Sequence, residues 1–270
     1  MDWLGSWSLS FAVGTLMLGL SIGPSVGWSS PWTIGCFVLS IAMTATFVHR
    51  IRHAENPLIP ARYFRRRNFV MPMILRGTSN FAYFGAFFLF PLLMEQGYGY
   101  SIPRVGALAI ARPITFSLCS PIAGYVAIRI GERVSAVAGA TFLTGSLALF
   151  ALLHPSSGAW FVAVALALSG LGMGVAMPST SSVMANEVLT SEFGVMSAAQ
   201  MLATQVGEVA GIQILETVQQ ALVRRDKLVH AKPGPALLAT FHLPFFIGAC
   251  VGAVGVIAAF FIRSVPRDRT

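Results

Sequence analysis

Charge is scarce in this sequence. Its 270 residues hold 18 Lys and Arg and 10 Asp and Glu, a charged share of 10% against 55% hydrophobic. A soluble domain carries about 25% charge, so a water-surrounded globule is excluded. A polytopic α-helical membrane protein is what remains. No Walker loop occurs, which leaves ATP hydrolysis out of these residues. No Ser-His-Asp or zinc-type spacing occurs either, so the reading is of a non-enzyme without metal or organic cofactor. Cysteine is sparse: Cys36, Cys119 and Cys250 lie inside apolar runs and read as small buried hydrophobes. His49, His53, His154, His230 and His242 all fall at helix ends or in loops. The formal charge of +8 is not a nucleic-acid signature. Most arginines stand between apolar runs, as the positive-inside rule expects.

Basic residues are also missing from the start. The first ten residues hold one acid, Asp2, and no Lys or Arg before the first apolar run. That pattern is wrong for a signal peptide and reads as a chain entered in the middle. Eight spans follow, at about 6–24, 31–50, 69–95, 104–127, 134–153, 159–182, 194–222 and 240–262. Segment 51–68 is the main break. It carries Arg52, Arg62, Arg65, Arg66 and Arg67 with Leu58, Ile59, Tyr63 and Phe64 interleaved. It reads as a cytoplasmic linker lying in the headgroup layer, or more plainly as a charged topogenic loop. With that segment inside, the turn at 128–133 and the tail with Arg263, Arg267 and Arg269 are inside too. The gaps at 25–30, 96–103 and 154–158 fall outside and hold no Lys or Arg. Segment 223–239 conflicts: it is basic, yet eight spans place it outside.

Stretch 103–133 is the most informative. Arg112 and Pro113 interrupt its apolar run, and Pro121 and Gly124 interrupt it again. A mid-membrane arginine costs roughly 2.5–3.5 kcal/mol on insertion scales. A proline there frees a carbonyl that something else must satisfy. Both point to a helix facing a polar cavity. Other intramembrane polar groups are Arg76 and Asn80 in the third span, and Gln200, Gln205, Glu208, Gln213 and Glu216 in the seventh. Spans three, four and seven are thus expected to line something wet, with five and eight as backing. Glu208 is near the middle of its span with Thr204 one turn away. It is either a proton or substrate site, or an ion-pair partner of Arg112 or Arg76. Arg76, about two turns from the cytoplasmic end, is expected to snorkel. Glu216 is expected to reach the outer interface. Small residues at packing spacing are Gly19/Gly23, Gly170/Gly174, Gly207/Gly211 and Gly248/Gly252.

Several stretches together resemble a known family. They are Gly27, Trp28 and Pro31; Asn56, Pro57 and Pro60 before Tyr63, Phe64 and Asn68; Pro91, Glu95, Gln96, Gly99 and Gly106; Gly124, Arg129, Gly131 and Arg133; and Gly170, Gly174 and Pro178. The chain resembles the C-terminal portion of a fourteen-span drug:proton antiporter of the major facilitator superfamily, the DHA2 multidrug efflux pumps. The resemblance implies that 1–50 is a two-helix central insert, 51–68 a basic cytoplasmic linker, 69–262 a six-helix transporter half and 263–270 a cytoplasmic tail. It implies two inverted three-helix repeats, with the first, second, fourth and fifth helices of the half lining a substrate cavity. Gly124, Arg129, Gly131 and Arg133 match the superfamily's loop motif, although Ile128 stands where the motif has an acid. Glu95 and Glu208 also depart from the pattern, so the resemblance assigns Glu208 no role.

The expectation is a proton-coupled efflux transporter of amphipathic, chiefly cationic, small molecules in the cell membrane. Its partners would be the substrate, the lipid bilayer and a missing N-terminal six-helix half or a separate partner chain. Nucleic acid is not among them. The rival from another class is a non-transporting membrane scaffold that binds through its basic linker.

Overall fold

The computed structural model describes residues 3–54, 59–229 and 231–263, with the side chain of Ile128 outside that description. Asp2, Asn56, Pro57, Leu58, His230, Arg267 and Arg269 lie outside the described residues. The elements are α1 (Trp3–Val26), α2 (Pro31–His53), α3 (Ala61–Phe64), α4 (Arg67–Leu92), α5 (Ile102–Ala109), α6 (Ala111–Ile130), α7 (Glu132–Ala151), α8 (Ala159–Ala185), α9 (Phe193–Arg225) and α10 (Pro235–Phe260). No strand occurs among the described residues. Among the described residues seven helices, counting α5 and α6 as one span, are long and apolar enough to cross a membrane. The expected seventh span forms as α9, but its polar residues keep it off that apolar list. At 33 residues it is about 50 Å long and is the bundle's polar strut.

The punctuation of the sequence sets the helix ends. Proline opens α2, α5 and α10 in their first turn, where its missing N–H costs nothing. Gly131, at φ 93°, turns the chain between α6 and α7, a backbone that residues with a Cβ avoid. Within 104–127, expected as one span, the helix breaks at Ile110 between α5 and α6. Pro113 explains the break: it has no N–H for the carbonyl of Ala109 and its ring crowds that carbonyl. After Pro91 the end of α4 loosens into a π turn, Leu93–Gly97.

α4 to α10 form one bundle, and its packing pairs show an internal order. α4 packs on α9, α6 on α8, α7 on α8 and α10 on α4. Exchanging the first three spans for the last three turns the α4–α9 contact into α8–α6 and the α10–α4 contact into α7–α8. The α7–α10 contact maps onto itself. Two three-helix repeats give this pattern. Glycines carry both members of each exchanged pair. A Cβ on Gly207 would strike the carbonyl of Gly77, and one on Gly211 that of Phe81. Across the other crossing, a Cβ on Gly170 would strike the Arg112 carbonyl and Thr115 Oγ1, and one on Gly174 would come within 3.1 Å of the Phe116 carbonyl. In lipid, where apolar burial gives no drive, such backbone approach is what binds helices.

α1 and α2 form a hairpin pinned by Ser40 Oγ, which donates to the Ala12 carbonyl at 2.7 Å. Its turn is closed by Trp28, whose ring fills the space beside Gly23 and stacks on Phe37. The hairpin rests on α9. Tyr63 is buried, 1% exposed, with Phe47, Ile59, Phe69, Met184, Val188 and Ala199. At the same end, Asn68 and Arg263 exchange two hydrogen bonds of 3.1 and 2.9 Å, joining the start of α4 to the end of α10. The segment between α9 and α10 lies at the opposite end, where Gly234 N–H donates to the Gln96 carbonyl.

Candidate functional site

The polar residues of α4, α6, α8 and α9 stand at successive depths, and glycine packing fixes the register between α4 and α9. Nearest the linker, Arg76 Nε donates to Thr204 Oγ1 at 2.9 Å and Nη1 to Ser181 Oγ at 3.3 Å. Ser181 lies 3.5 Å from Gln200 Oε1. Asn80, buried at 1% exposure, donates to the Arg76 carbonyl at 2.7 Å. Arg76 therefore turns inward to hydroxyls on α8 and α9 instead of running out along its own helix.

Arg112 is at a deeper level, buried to 2% exposure. Its Nη2 donates to the Tyr83 carbonyl. Its guanidinium lies 3.3 Å from the Tyr83 ring centroid and 4.8 Å from that of Phe87. Nε has no hydrogen-bond partner. The charge is thus held by a carbonyl and two aromatic faces, an arrangement guanidinium suits because it is planar and weakly hydrated. Beside it, between α4 and the α5–α6 break, a cavity of about 350 Å³ is lined by Tyr83, Phe84, Phe87, Gly106 and Arg112, among others. Its size and aromatic walls suit a small amphipathic molecule.

Glu208 falls between these two levels, on α9 one turn beyond Thr204, and is half-buried. Among the described residues no ion pair joins it to Arg76 or Arg112. Gln205 is exposed on the same helix. Glu216 lies two turns beyond Glu208 on α9, and among the described residues it pairs with neither arginine. It accepts from Gln220 Nε2 at 2.9 Å and lines a small polar cavity with Gln96, Gln219 and Arg224 at the end opposite the linker.

The loop-motif residues gather at the α6–α7 turn. Arg129 donates to the Tyr125 hydroxyl at 2.5 Å and sits over its ring. Arg133 is exposed, Gly124 has open space around it, and Gly131 makes the turn. The buried acid here is Glu132, 6% exposed, which accepts from Ser182 Oγ at 3.3 Å.

Sequence reasoning missed four participants: Ser181, Glu132, Tyr63 and Glu192. Tyr63 and Arg62 both donate to Glu192, Arg62 at 2.7 Å to each oxygen, while Arg66 reaches Glu187 at 3.3 Å. The only sequence signal for this contact is charge complementarity between the basic linker and an acidic loop. With Ser181, the polar set covers the first, second, fourth and fifth spans of the bundle (α4, α6, α8 and α9).

The sequence matches the Major Facilitator Superfamily over residues 3–212. It is 25% identical over 232 residues to the multidrug transporter protein MdtP of Bacillus subtilis, covering 84% of this chain and 43% of that protein. It is 28% identical over 221 residues to the multidrug resistance protein Stp of Mycobacterium tuberculosis, covering 82% of this chain and 41% of that one. A tetracycline resistance determinant of Streptomyces rimosus is 25% identical over 234 residues, 85% of this chain and 67% of that protein. The chain thus spans about two fifths of the first two relatives. The family match covers most of the chain, and the helical bundle has the architecture it requires: this protein belongs to the Major Facilitator Superfamily, a family of membrane transporters.

Proposed function

We propose that the chain is the C-terminal portion of a fourteen-span drug:proton antiporter, exporting amphipathic small molecules across the cell membrane. The observation that carries this is the uncompensated Glu208. It stands on α9 between two inward-held arginines, beside helices that also bear an aromatic cavity at Arg112. Relatives named for multidrug and tetracycline resistance support the substrate class. Alternating access needs a second six-helix body facing this one, on the same polypeptide or on another chain. The proton is the coupling ion and no other cofactor is invoked. The proton cycle runs through Glu208: loaded from one side, it neutralises; substrate arrival at the Arg112 cavity and proton release then alternate. Segment 51–68 and the C-terminus are cytoplasmic in this reading, by the positive-inside rule.

The test is dye efflux driven by a proton gradient in vesicles holding the complete transporter. Glu208→Gln is expected to reduce gradient-driven efflux to background while leaving dye binding in place. Undiminished efflux overturns the proton role. If Arg112→Gln and Glu208→Gln are both silent, the scaffold reading stands instead. Single cysteines in 59–66 should resist an impermeant label added outside; rapid labelling would invert the orientation.

A further inference from the structure

A cavity larger than the one beside Arg112 belongs to neither arginine level. It is a slot of about 820 Å³ where the α1–α2 hairpin, the linker and the bundle meet. Its walls are apolar: Val13 and Leu16 of α1, Val48 and Ile51 of α2, Met73 of α4 and Leu202 of α9 line it. At the linker end the lining changes to Arg52 and Arg65. Both are exposed, and among the described residues neither has an ion-pair or hydrogen-bond partner. Arg62 and Arg66, their neighbours, are engaged by Glu192 and Glu187.

We propose that this slot is a binding site for one anionic phospholipid from the leaflet on the linker side. The acyl chains would lie between the hairpin and α4–α9, and the headgroup phosphate would sit between Arg52 and Arg65. Three observations fit this occupant. The slot runs parallel to the helices from the linker end inward, as an acyl chain must. Its only cations are at the depth where a headgroup lies. Neither of those two is paired with the acidic loop 187–192, so their charge complements an anion from outside the fold. Guanidinium binds phosphate through paired N–H donors. The site also has a structural consequence. Ser40 pins α1 to α2, but the hairpin meets the bundle chiefly through α1 and α9. A lipid in the slot would fill the rest of that junction.

The experiment is native mass spectrometry of the purified chain, delipidated and then offered phosphatidylglycerol or phosphatidylcholine with identical acyl chains. One phosphatidylglycerol per chain should be retained in preference to phosphatidylcholine. Near-surface arginines contribute about five-fold each in binding anionic lipid at low salt, and less as salt rises. The Arg52→Gln, Arg65→Gln double variant should therefore lower the preference by about 25-fold. Both side chains are exposed, so the variant folds. Arg67→Gln, which removes a guanidinium stacked 4.7 Å from the Phe261 ring instead, should leave the preference unchanged. Val13→Trp, filling the slot, should lower retention of both lipids. Equal retention of the two lipids by the unaltered chain would overturn the proposal. So would a preference that survives the double variant, because the anion would then be held elsewhere on the basic linker.

Discussion

Arg76 and Arg112 sit in the same bundle, yet the fold holds them by opposite means. Arg76 rests on hydroxyls from two other helices, at 2.9 and 3.3 Å. Arg112 rests on a carbonyl and two aromatic faces, with one nitrogen unpartnered. Among the described residues neither is paired with a carboxylate. The paired acids Glu187 and Glu192 serve exposed arginines at the linker end. A buried ion pair gains little over uncharged packing once desolvation is counted, so neutral partners lose little stability. They also leave Glu208 unclaimed between the two levels.

The largest expected effect tests whether the two levels depend on their helix crossings equally. Gly207→Ala, at the crossing beside Thr204 and Glu208, and Gly170→Ala, against the Arg112 carbonyl, each place a Cβ on backbone. Each should cost about 1–3 kcal/mol by thermal unfolding in detergent. Gly124→Ala, with open space around its Cβ, should gain up to about 1 kcal/mol from helix propensity alone. A loss at Gly207 without one at Gly170 would break the equivalence of the two crossings. The next effect separates the arginines themselves. Arg112→Lys removes the planar group over Tyr83 and should lower stability by about 2 kcal/mol. Arg76→Lys keeps a donor for Thr204 and should cost less than about 1 kcal/mol. Equal shifts in melting temperature would mean the aromatic faces contribute nothing specific.

Within the hydroxyl level, Thr204→Val should cost about 1.5 kcal/mol, because it strips an acceptor from a cation, and Ser181→Ala about 0.5 kcal/mol, its bond being longer. The smallest effect concerns the exposed pair. The Tyr63 hydroxyl first, and the Arg62 guanidinium second, hold the Glu192 carboxyl below its ordinary 4.5. A depressed carboxyl stabilises the fold above its unfolded value and loses that contribution as pH falls through its folded value. Hydrogen-exchange protection of 187–192 should therefore hold at pH 7 and decline only below pH 4.5. Tyr63→Phe should move that decline toward higher pH.

Helix positions were legible because apolar runs and their punctuation are local. Expected spans at 31–50, 159–182 and 194–222 form as Pro31–His53, Ala159–Ala185 and Phe193–Arg225. In α2 and α9 the extra final turn is basic, with Arg52 and His53 in one and Arg224 and Arg225 in the other, and an apolar window discards it; α8 instead runs on through the apolar Val183, Met184 and Ala185. The break before Pro113 was legible as an interruption but not as two helices. Arg112 and Glu208 stood out because charge inside an apolar run needs a reason. Their surroundings did not, since a partner on another helix leaves no mark near the residue. Ser181 looks like any small packing residue until Arg76, 105 positions earlier, reaches it. Tyr63 lies in a basic segment that reads as surface; residues distant in the sequence, Phe47, Met184, Val188 and Ala199, bury its ring, and its hydroxyl reaches Glu192.

The mutual hydrogen bonds of Asn68 and Arg263 make the six-helix bundle a ring with a seam. The chain enters and leaves the bundle at adjacent points on one side. A short bridge there, with a cut between α7 and α8, would give a permuted gene reading α8, α9, α10, α4, α5–α6, α7. The two repeats would trade places in the sequence while every helix kept its neighbours. The order in which the six spans enter the membrane and the shape they reach there are thus separable properties of this protein.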